Sequence, residues 1–100
     1  MKTLLTGKQR SYLKGIANNT DPIFQLGKNG LTENFIKQVD EALETREIVK
    51  INVLKNCMED PTEVANELID QLSAEFVQSI GRKFVLYRES EEHKKIELPK

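Results

Sequence analysis

The fold is decided by residues 23–32, IFQLGKNGLT, where the chain changes from strand to helix. Residues 23–26 are a short, mostly apolar run of the kind that joins a sheet. Residues 27–30, GKNG, predict a sharp turn, because glycine tolerates positive φ and has no side chain to hold a neighbour away. Thr32 is a typical N-cap residue, so a helix is predicted to begin directly after it.

A further helix is predicted on the N-terminal side of this stretch. Thr6 and Gln9 have the spacing of a capping box, and apolar residues then recur at helical spacing as far as Ala17. The residue before a proline avoids the helical region, so this helix is predicted to end before Pro22.

Other elements are predicted on the C-terminal side. Residues 47–54 alternate in part between apolar and polar side chains, as in a strand with one face more exposed to solvent. Asp60 is predicted to cap a third helix, with Pro61 at its first position. Residues 75–80 and 83–88 predict two strands that are joined by a tight turn.

The predicted fold class is α+β, with the element order α-β-α-β-α-β-β. Alternating strands and helices favour at least one parallel strand pair, and the last two strands add an antiparallel hairpin. We expect one mixed four-stranded sheet with helices packed against it, in a single domain over residues 1–97. A charged, mobile tail is expected from about residue 89, although Ile96 and Leu98 have the apolar character to dock.

The distribution of charge matters more than the net charge, which is −1 with a pI of about 5.9. Residues 1–20 contain four basic residues and no acidic one, whereas residues 59–75 contain six acidic residues and no basic one. Because local potential decides where a polyanion docks, a basic surface for nucleic acid is compatible with this composition.

Several classes of protein are disfavoured by the sequence. No apolar run approaches the ~20 residues of a membrane-spanning helix, and the N-terminus lacks the apolar segment of a signal peptide. Cys57 is the single cysteine, so an internal disulfide is excluded and a reducing cytoplasm is expected. With one histidine, His93, and no triad-like set of residues, we expect no enzyme, no bound metal and no cofactor.

The turn at residues 27–30 has the parts of a phosphate site. Its glycines let backbone N–H groups approach an anion, and the helix that follows presents its positive end at the same place. Lys28 adds a full charge and Asn29 a hydrogen-bond donor. On the pattern alone, a bare G-x-x-G favours a simple strand-to-helix turn that carries an exposed lysine over a phosphate site. The full Walker sequence for nucleotide hydrolysis is absent.

Residues 26–32, LGKNGLT, resemble the signature of the YhbY-like proteins, the stand-alone bacterial form of the chloroplast RNA splicing and ribosome maturation (CRM) domain. Other stretches resemble the same family in the same order, namely residues 13–17 (LKGIA), 47–51 (EIVKI), 80–81 (IG), 85–88 (VLYR) and 96–100 (IELPK). The resemblance extends over almost the whole chain, and several spaced motifs together are far more specific than the glycine turn alone.

The resemblance implies a fold similar to the C-terminal domain of the third bacterial translation initiation factor. It also implies RNA binding through a loop comparable to the KH-domain G-x-x-G, and association with precursors of the large ribosomal subunit. The loop here follows a strand, whereas the KH loop joins two helices, so only the phosphate chemistry transfers. The predicted RNA-binding residues are Gly27, Lys28, Asn29, Gly30, Lys8, Arg10, Lys14, Arg82 and Arg88.

Each basic candidate outside the loop has two interpretations. Lys8, Arg10 and Lys14 either line the RNA face or form a solvated side of the first helix. For Arg82, in the turn between the last two strands, contact with a phosphate is favoured over the role of a solvated surface charge. Arg88 is expected to contribute too, the alternative being that it keeps an edge strand soluble.

Two functions are compatible with these features. The first is binding of ribosomal RNA during assembly of the large (50S) subunit, by a monomer in the cytoplasm that makes no membrane contact. The second is a protein-interaction module whose acidic third helix docks a basic ribosomal or assembly protein. Tyr87 either stacks on an unpaired base or packs in the core, and the alternation of residues 84–87 favours the core.

Overall fold

The computed structural model describes residues 5–92 and 94–98. His93, which was not expected to bind a metal, lies outside the described residues, as do the N-terminal segment 1–4 and the last two residues of the family-like tail. Within the described ranges, no helix is both long and apolar enough to cross a membrane.

The described residues form the predicted order of elements, α-β-α-β-α-β-β. The helices are α1 (Gly7–Asn18), α2 (Glu33–Arg46) and α3 (Pro61–Leu72). The strands are β1 (Phe24–Leu26), β2 (Ile48–Val53), β3 (Glu75–Ile80) and β4 (Lys83–Tyr87). The predicted α+β class is therefore confirmed, and the predicted bounds differ from these by one residue at several ends.

Each helix begins at the cap residue that the sequence predicts. Thr6 and Gln9 form the full capping box, with both of its hydrogen bonds present. The side chains of Thr32 and Asp60 each accept a main-chain N–H group from the first turn of α2 and α3, at 3.1 and 3.2 Å. Such caps satisfy N–H groups that have no partner inside the helix, and each typically stabilises by about 1 kcal/mol.

The four strands form one mixed sheet in the order β1-β2-β4-β3. β1 pairs parallel with β2, and β4 pairs antiparallel with both β2 and β3. Because β1 and β2 run in the same direction, both finish at one end of the sheet. We call this end, at Leu26, Val53 and the start of β4, the loop end. The opposite end, at Ile48 and Tyr87, is the far end.

Helices cover both faces of the sheet. α2 and α3 pack on the face that includes Phe84 and Leu86, whereas α1 packs on the face that includes Val85 and Tyr87. All four of these β4 residues are buried, as in a strand covered on both sides. Tyr87 is 4% exposed, so its predicted core position is confirmed.

The segment after β4 folds back against the domain. The fully buried carboxylate of Glu47 accepts the N–H groups of Ser90, Lys95 and Ile96 at 2.8, 2.6 and 2.7 Å. Ile96 and Leu98 pack against the cluster beneath α1, so the docking foreseen for these two residues is confirmed. The mobility expected of the tail stays a prediction, and these contacts favour an ordered segment.

Opposing effects act on the pKa of Glu47. Burial raises this pKa, whereas the N–H groups of Ser90, Lys95 and Ile96 and the charge of Lys94 lower it. The lowering effects are larger together, so the pKa lies below its ordinary value of 4.5. The ionised group therefore stabilises the fold fully above that ordinary value, and the stabilisation is lost as pH falls through the lowered pKa.

Glu47→Gln is expected to lower the free energy of unfolding by about 2–4 kcal/mol near neutral pH, because a neutral oxygen accepts hydrogen bonds more weakly than a carboxylate. The difference from the parent protein should shrink as pH falls from 4.5 through the lowered pKa, because the unfolded chain binds a proton first and the folded carboxylate is protonated only at lower pH. Urea unfolding at several pH values measures both effects. Glu97→Gln, at an exposed tail position, is the matched control. The same pH dependence in both variants would contradict the role assigned to Glu47.

Candidate functional site

The turn at residues 27–30 joins β1 to α2 at the loop end of the sheet. The Gly30 N–H donates to the Gly27 carbonyl at 3.0 Å, which closes a four-residue β-turn. Gly30 has a φ of +64°, a conformation that strains other residues, whereas Gly27 has no positive φ. The backbone conformation therefore requires glycine at position 30 but not at position 27, although the G-x-x-G pattern has a glycine at both.

A carboxylate lies directly beside this turn. Glu59 Oε1 accepts the Leu31 N–H at 3.3 Å, and a Cβ added to Gly30 would overlap with the same oxygen. The N–H groups of Gly30 and Leu31 thus already have acceptors within the protein. Phosphate binding by the main-chain amides of the turn stays a prediction, which these two bonds restrict to the N–H groups that precede Gly30. An anion could reach the Leu31 N–H only by displacing Glu59.

Lys28 and Asn29, by contrast, are exposed at the tip of the turn. Within the part of the chain that the structure describes, neither side chain has a hydrogen bond or an ion pair. The tip lies next to the first turn of α2, where the helix carries partial positive charge. Lys28 therefore carries most of the attraction that this turn can exert on an anion.

The segment after β2 lies against the turn because β1 and β2 end side by side. The Leu54 N–H donates to the Leu26 carbonyl at 2.8 Å, and Asn56 Oδ1 would lie 3.5 Å from a Cβ added to Gly27. Lys55 and Asn56 are both exposed here, and the sequence analysis missed them. The parallel pairing could have revealed them, since the segments that follow two parallel strands meet at one end of the sheet.

Arg82 also lies at the loop end, but its guanidinium bonds within the fold. Nε donates to the Val53 carbonyl at 2.9 Å, and Nη2 donates to the Leu54 carbonyl at 3.1 Å. These bonds link the turn between β3 and β4 to the segment after β2. Arg82 is thus placed near the glycine turn, as expected, and it holds the loop end together while adding positive charge there.

Arg88 lies at the far end of the sheet and has internal partners. Nη1 donates to the Asp40 carboxylate at 2.7 Å and to the Leu72 carbonyl at 2.9 Å, and Nη2 donates to the Asp40 carbonyl at 2.9 Å. The length of β2, at about 3.3 Å per residue, separates it from the glycine turn by roughly 17 Å. The structure therefore does not place Arg88 on the surface for which it was predicted. It links α2 to α3 instead.

The basic residues of α1 lie in the other helical layer. α1 begins near Tyr87 at the far end and packs on the face opposite to α2. Lys8 and Lys14 are exposed on this helix, and Arg10 Nε donates to the Phe76 carbonyl at 3.4 Å. The structure thus places α1 in the layer opposite to α2, and the single RNA surface expected from loop, first helix and final hairpin stays a prediction.

A groove of about 520 Å³ opens beside the glycine turn. It lies between the end of β1 and the first turns of α2. Its walls are formed by Gln25, Leu26, Gly27, Lys28, Asn29, Gly30, Thr32, Asn34, Phe35 and Gln38. Among the described residues that line this groove there is no carboxylate, although Glu59 lies just outside it against Gly30.

The chain resembles a known protein family over the region that contains this groove. The family model of the CRS1 / YhbY (CRM) domain matches residues 5–88, which include the glycine turn, both neighbouring strands and every helix. The chain belongs to this family. The resemblance seen in the sequence motifs is thereby confirmed.

Relatives of this CRM domain come from several bacteria. It is 51% identical over 96 residues to the "Probable RNA-binding protein YqeI" of Bacillus subtilis, which covers 96% of this chain and 100% of the relative. It is 40% identical over 98 residues to a Haemophilus influenzae protein named "RNA-binding protein", with 98% of each chain covered. The solution structure of the hypothetical protein SAV1595 from Staphylococcus aureus has 53% identity and a TM-score of 0.79, and covers 96% of this chain and 100% of that one.

Gly30→Ala is expected to destabilise this CRM domain by about 1–2 kcal/mol through its backbone conformation, with a further loss from the displaced Glu59 side chain. Gly27→Ala is the matched control and should be almost neutral, since its Cβ would make ordinary contacts, the nearest at 3.5 Å. Urea unfolding of both variants measures the difference. Equal destabilisation at the two positions would show that the turn does not have the conformation described.

Proposed function

We propose that this protein binds RNA through the sugar-phosphate backbone at the loop end of its sheet, with Lys28 as the principal charged contact. The observation that carries the proposal is the exposed tip Lys28-Asn29, held on a hydrogen-bonded turn at the N-terminal end of α2. A lysine and the positive end of a helix then act on the same point, which favours an anion. The names of the Bacillus and Haemophilus relatives support RNA as the molecule that carries the phosphate.

The contact surface that we propose is compact. It consists of the turn at residues 27–30, with Lys55 and Arg82 as neighbouring positive charges. Lys8, Arg10, Lys14 and Arg88 are not included, because they lie in the other layer or at the far end of the sheet. Phosphate contacts position an RNA without reacting with it, so the proposed function needs no catalytic group and no cofactor.

We further propose that the RNA is precursor ribosomal RNA of the large (50S) subunit, within a pre-ribosomal particle. This finer proposal depends on the family resemblance of the motifs at residues 26–32 and 47–51. It would place the protein in the cytoplasm, acting as a monomer.

Lys28→Ala is expected to weaken the binding of a ribosomal RNA fragment and of an unrelated RNA by a similar factor. The slope of log K against log salt should fall by about 1, because one phosphate contact is lost. Fluorescence anisotropy over a series of salt concentrations measures both quantities. Lys95→Ala, exposed in the tail near the far end, is the control and should leave the slope unchanged. Parent-like affinity and slope in Lys28→Ala would contradict the proposal.

Glu59→Gln is expected to tighten RNA binding about fivefold at low salt, since one negative charge a few ångströms from a phosphate opposes binding by about 1 kcal/mol. The gain should decrease as added salt screens the charge. Glu63→Gln, at an exposed position on α3, is the matched control. Weaker binding by Glu59→Gln in the same anisotropy measurement would mean that the carboxylate supports the bound state by positioning the turn.

A second candidate function is docking of a basic protein by α3, supported by the exposed carboxylates of Glu63, Glu67 and Asp70. Co-sedimentation with pre-ribosomal particles, before and after ribonuclease treatment, separates the two candidates. Loss of the protein from the particles after digestion is expected if RNA is the partner. Retention would favour the protein-docking function of α3.

A further inference from the structure

We infer that the groove beside the glycine turn is a base-binding subsite for one unpaired nucleotide of an RNA. The phosphate of this nucleotide lies at Lys28, and its base lies against Asn34, Phe35 and Gln38. The inference rests on the proposed function, because the phosphate contact is what brings the nucleotide to the groove.

Two side-chain amides form one wall of the groove. Asn34 and Gln38 are four residues apart on α2, so they project from the same side of the helix, and both line the groove. Both are exposed, and over the described ranges 5–92 and 94–98 neither side chain has a hydrogen-bond partner. Their donors and acceptors are therefore available to a ligand.

The chemistry of this wall suits a nucleobase better than a second phosphate. Each amide presents a carbonyl acceptor beside an NH₂ donor, whereas an ionised phosphate oxygen only accepts. Base edges carry donors and acceptors side by side, and asparagine or glutamine can pair with adenine through two hydrogen bonds. Lys28 is the one charged residue among the described residues that line the groove. The groove therefore offers a positive charge at its Lys28 end and neutral hydrogen-bonding groups along α2.

The groove also has an apolar surface on which a base can lie. Phe35 is half-buried, and its ring packs edge-to-face on Phe24 with the ring centroids 5.6 Å apart. Its backbone N–H donates to the Thr32 hydroxyl at 3.1 Å, which fixes the residue at the start of α2. A fixed aromatic ring is a suitable platform for an unpaired base. The volume of about 520 Å³ is within the range of small-molecule sites.

The subsite would give the protein a preference for particular bases, which the glycine turn cannot provide. Phosphate contacts orient an RNA but do not read its sequence, whereas amides on base edges do. The base must be unpaired, because side chains cannot reach this edge in the deep, narrow major groove of an RNA duplex, and a base inside a helix is stacked on its neighbours. The protein would therefore prefer a loop, bulge or end of a folded RNA in which the nucleotide whose phosphate lies at Lys28 has an accessible base.

The test measures the affinity of the double variant Asn34→Ala/Gln38→Ala for oligo(A), oligo(U) and an RNA duplex of the same length. We expect a loss of about tenfold for oligo(A), a smaller loss for oligo(U) and none for the duplex, at an unchanged salt slope. Asn66→Ala/Gln71→Ala, which removes two exposed amides from α3, is the matched control. Alanine is a strong helix former, so both variants should keep their helices, and circular dichroism verifies this.

The outcomes separate the two levels of the proposal. Parent-like affinity of Asn34→Ala/Gln38→Ala for oligo(A), with the salt slope still lowered by Lys28→Ala, would overturn the subsite and leave the proposed function standing. An equal loss on the duplex would also overturn the subsite, because it would show that the amides do not contact a base. If the parent protein shows no Lys28-dependent binding to any of the RNAs, the proposed function itself fails.

Discussion

The parallel pairing of β1 with β2 is the constraint on which the loop end of the sheet depends. β1 has only three residues, and its register Phe24↔Ile51 places Leu26 beside Val53. Without that pairing, the segment that carries Lys55, Asn56 and Glu59 would not lie against the glycine turn. A short strand at the margin of the sheet thus determines both the charge that can attract a polyanion and the carboxylate that opposes it.

Buried or half-buried charged residues hold the two ends of the sheet. Arg82 links the hairpin turn to the segment after β2 at the loop end, and Arg88 links Asp40 to Leu72 at the far end. Charged groups are tolerated in a protein interior when hydrogen bonds of this kind satisfy their donors and acceptors. Basic residues close to strand ends are therefore ambiguous in this fold, since the same residue type can act on the surface or within the domain.

Local sequence patterns were sufficient to predict the helices and strands, but they were not sufficient to predict the contacts between these elements. The caps at Thr6, Thr32 and Asp60 and the alternation of residues 84–87 act over a few positions, so they could be predicted and were found. The bond between Arg88 and Asp40 spans 48 residues, and no local pattern indicates it. Glu59 was likewise seen only as part of an acidic stretch, because its contact with Leu31 depends on the folded arrangement of two loops.

The carboxylate of Glu47 also bears on where the folding unit ends. The family model matches the chain as far as residue 88, immediately after the last strand, yet Ser90, Lys95 and Ile96 supply the N–H groups that donate to this buried carboxylate. A chain that ended at residue 88 would retain the helices and strands described above. Its buried Glu47 carboxylate would, however, lose the N–H groups that donate to it. Excised or fused versions of such domains should therefore have their junction beyond Leu98.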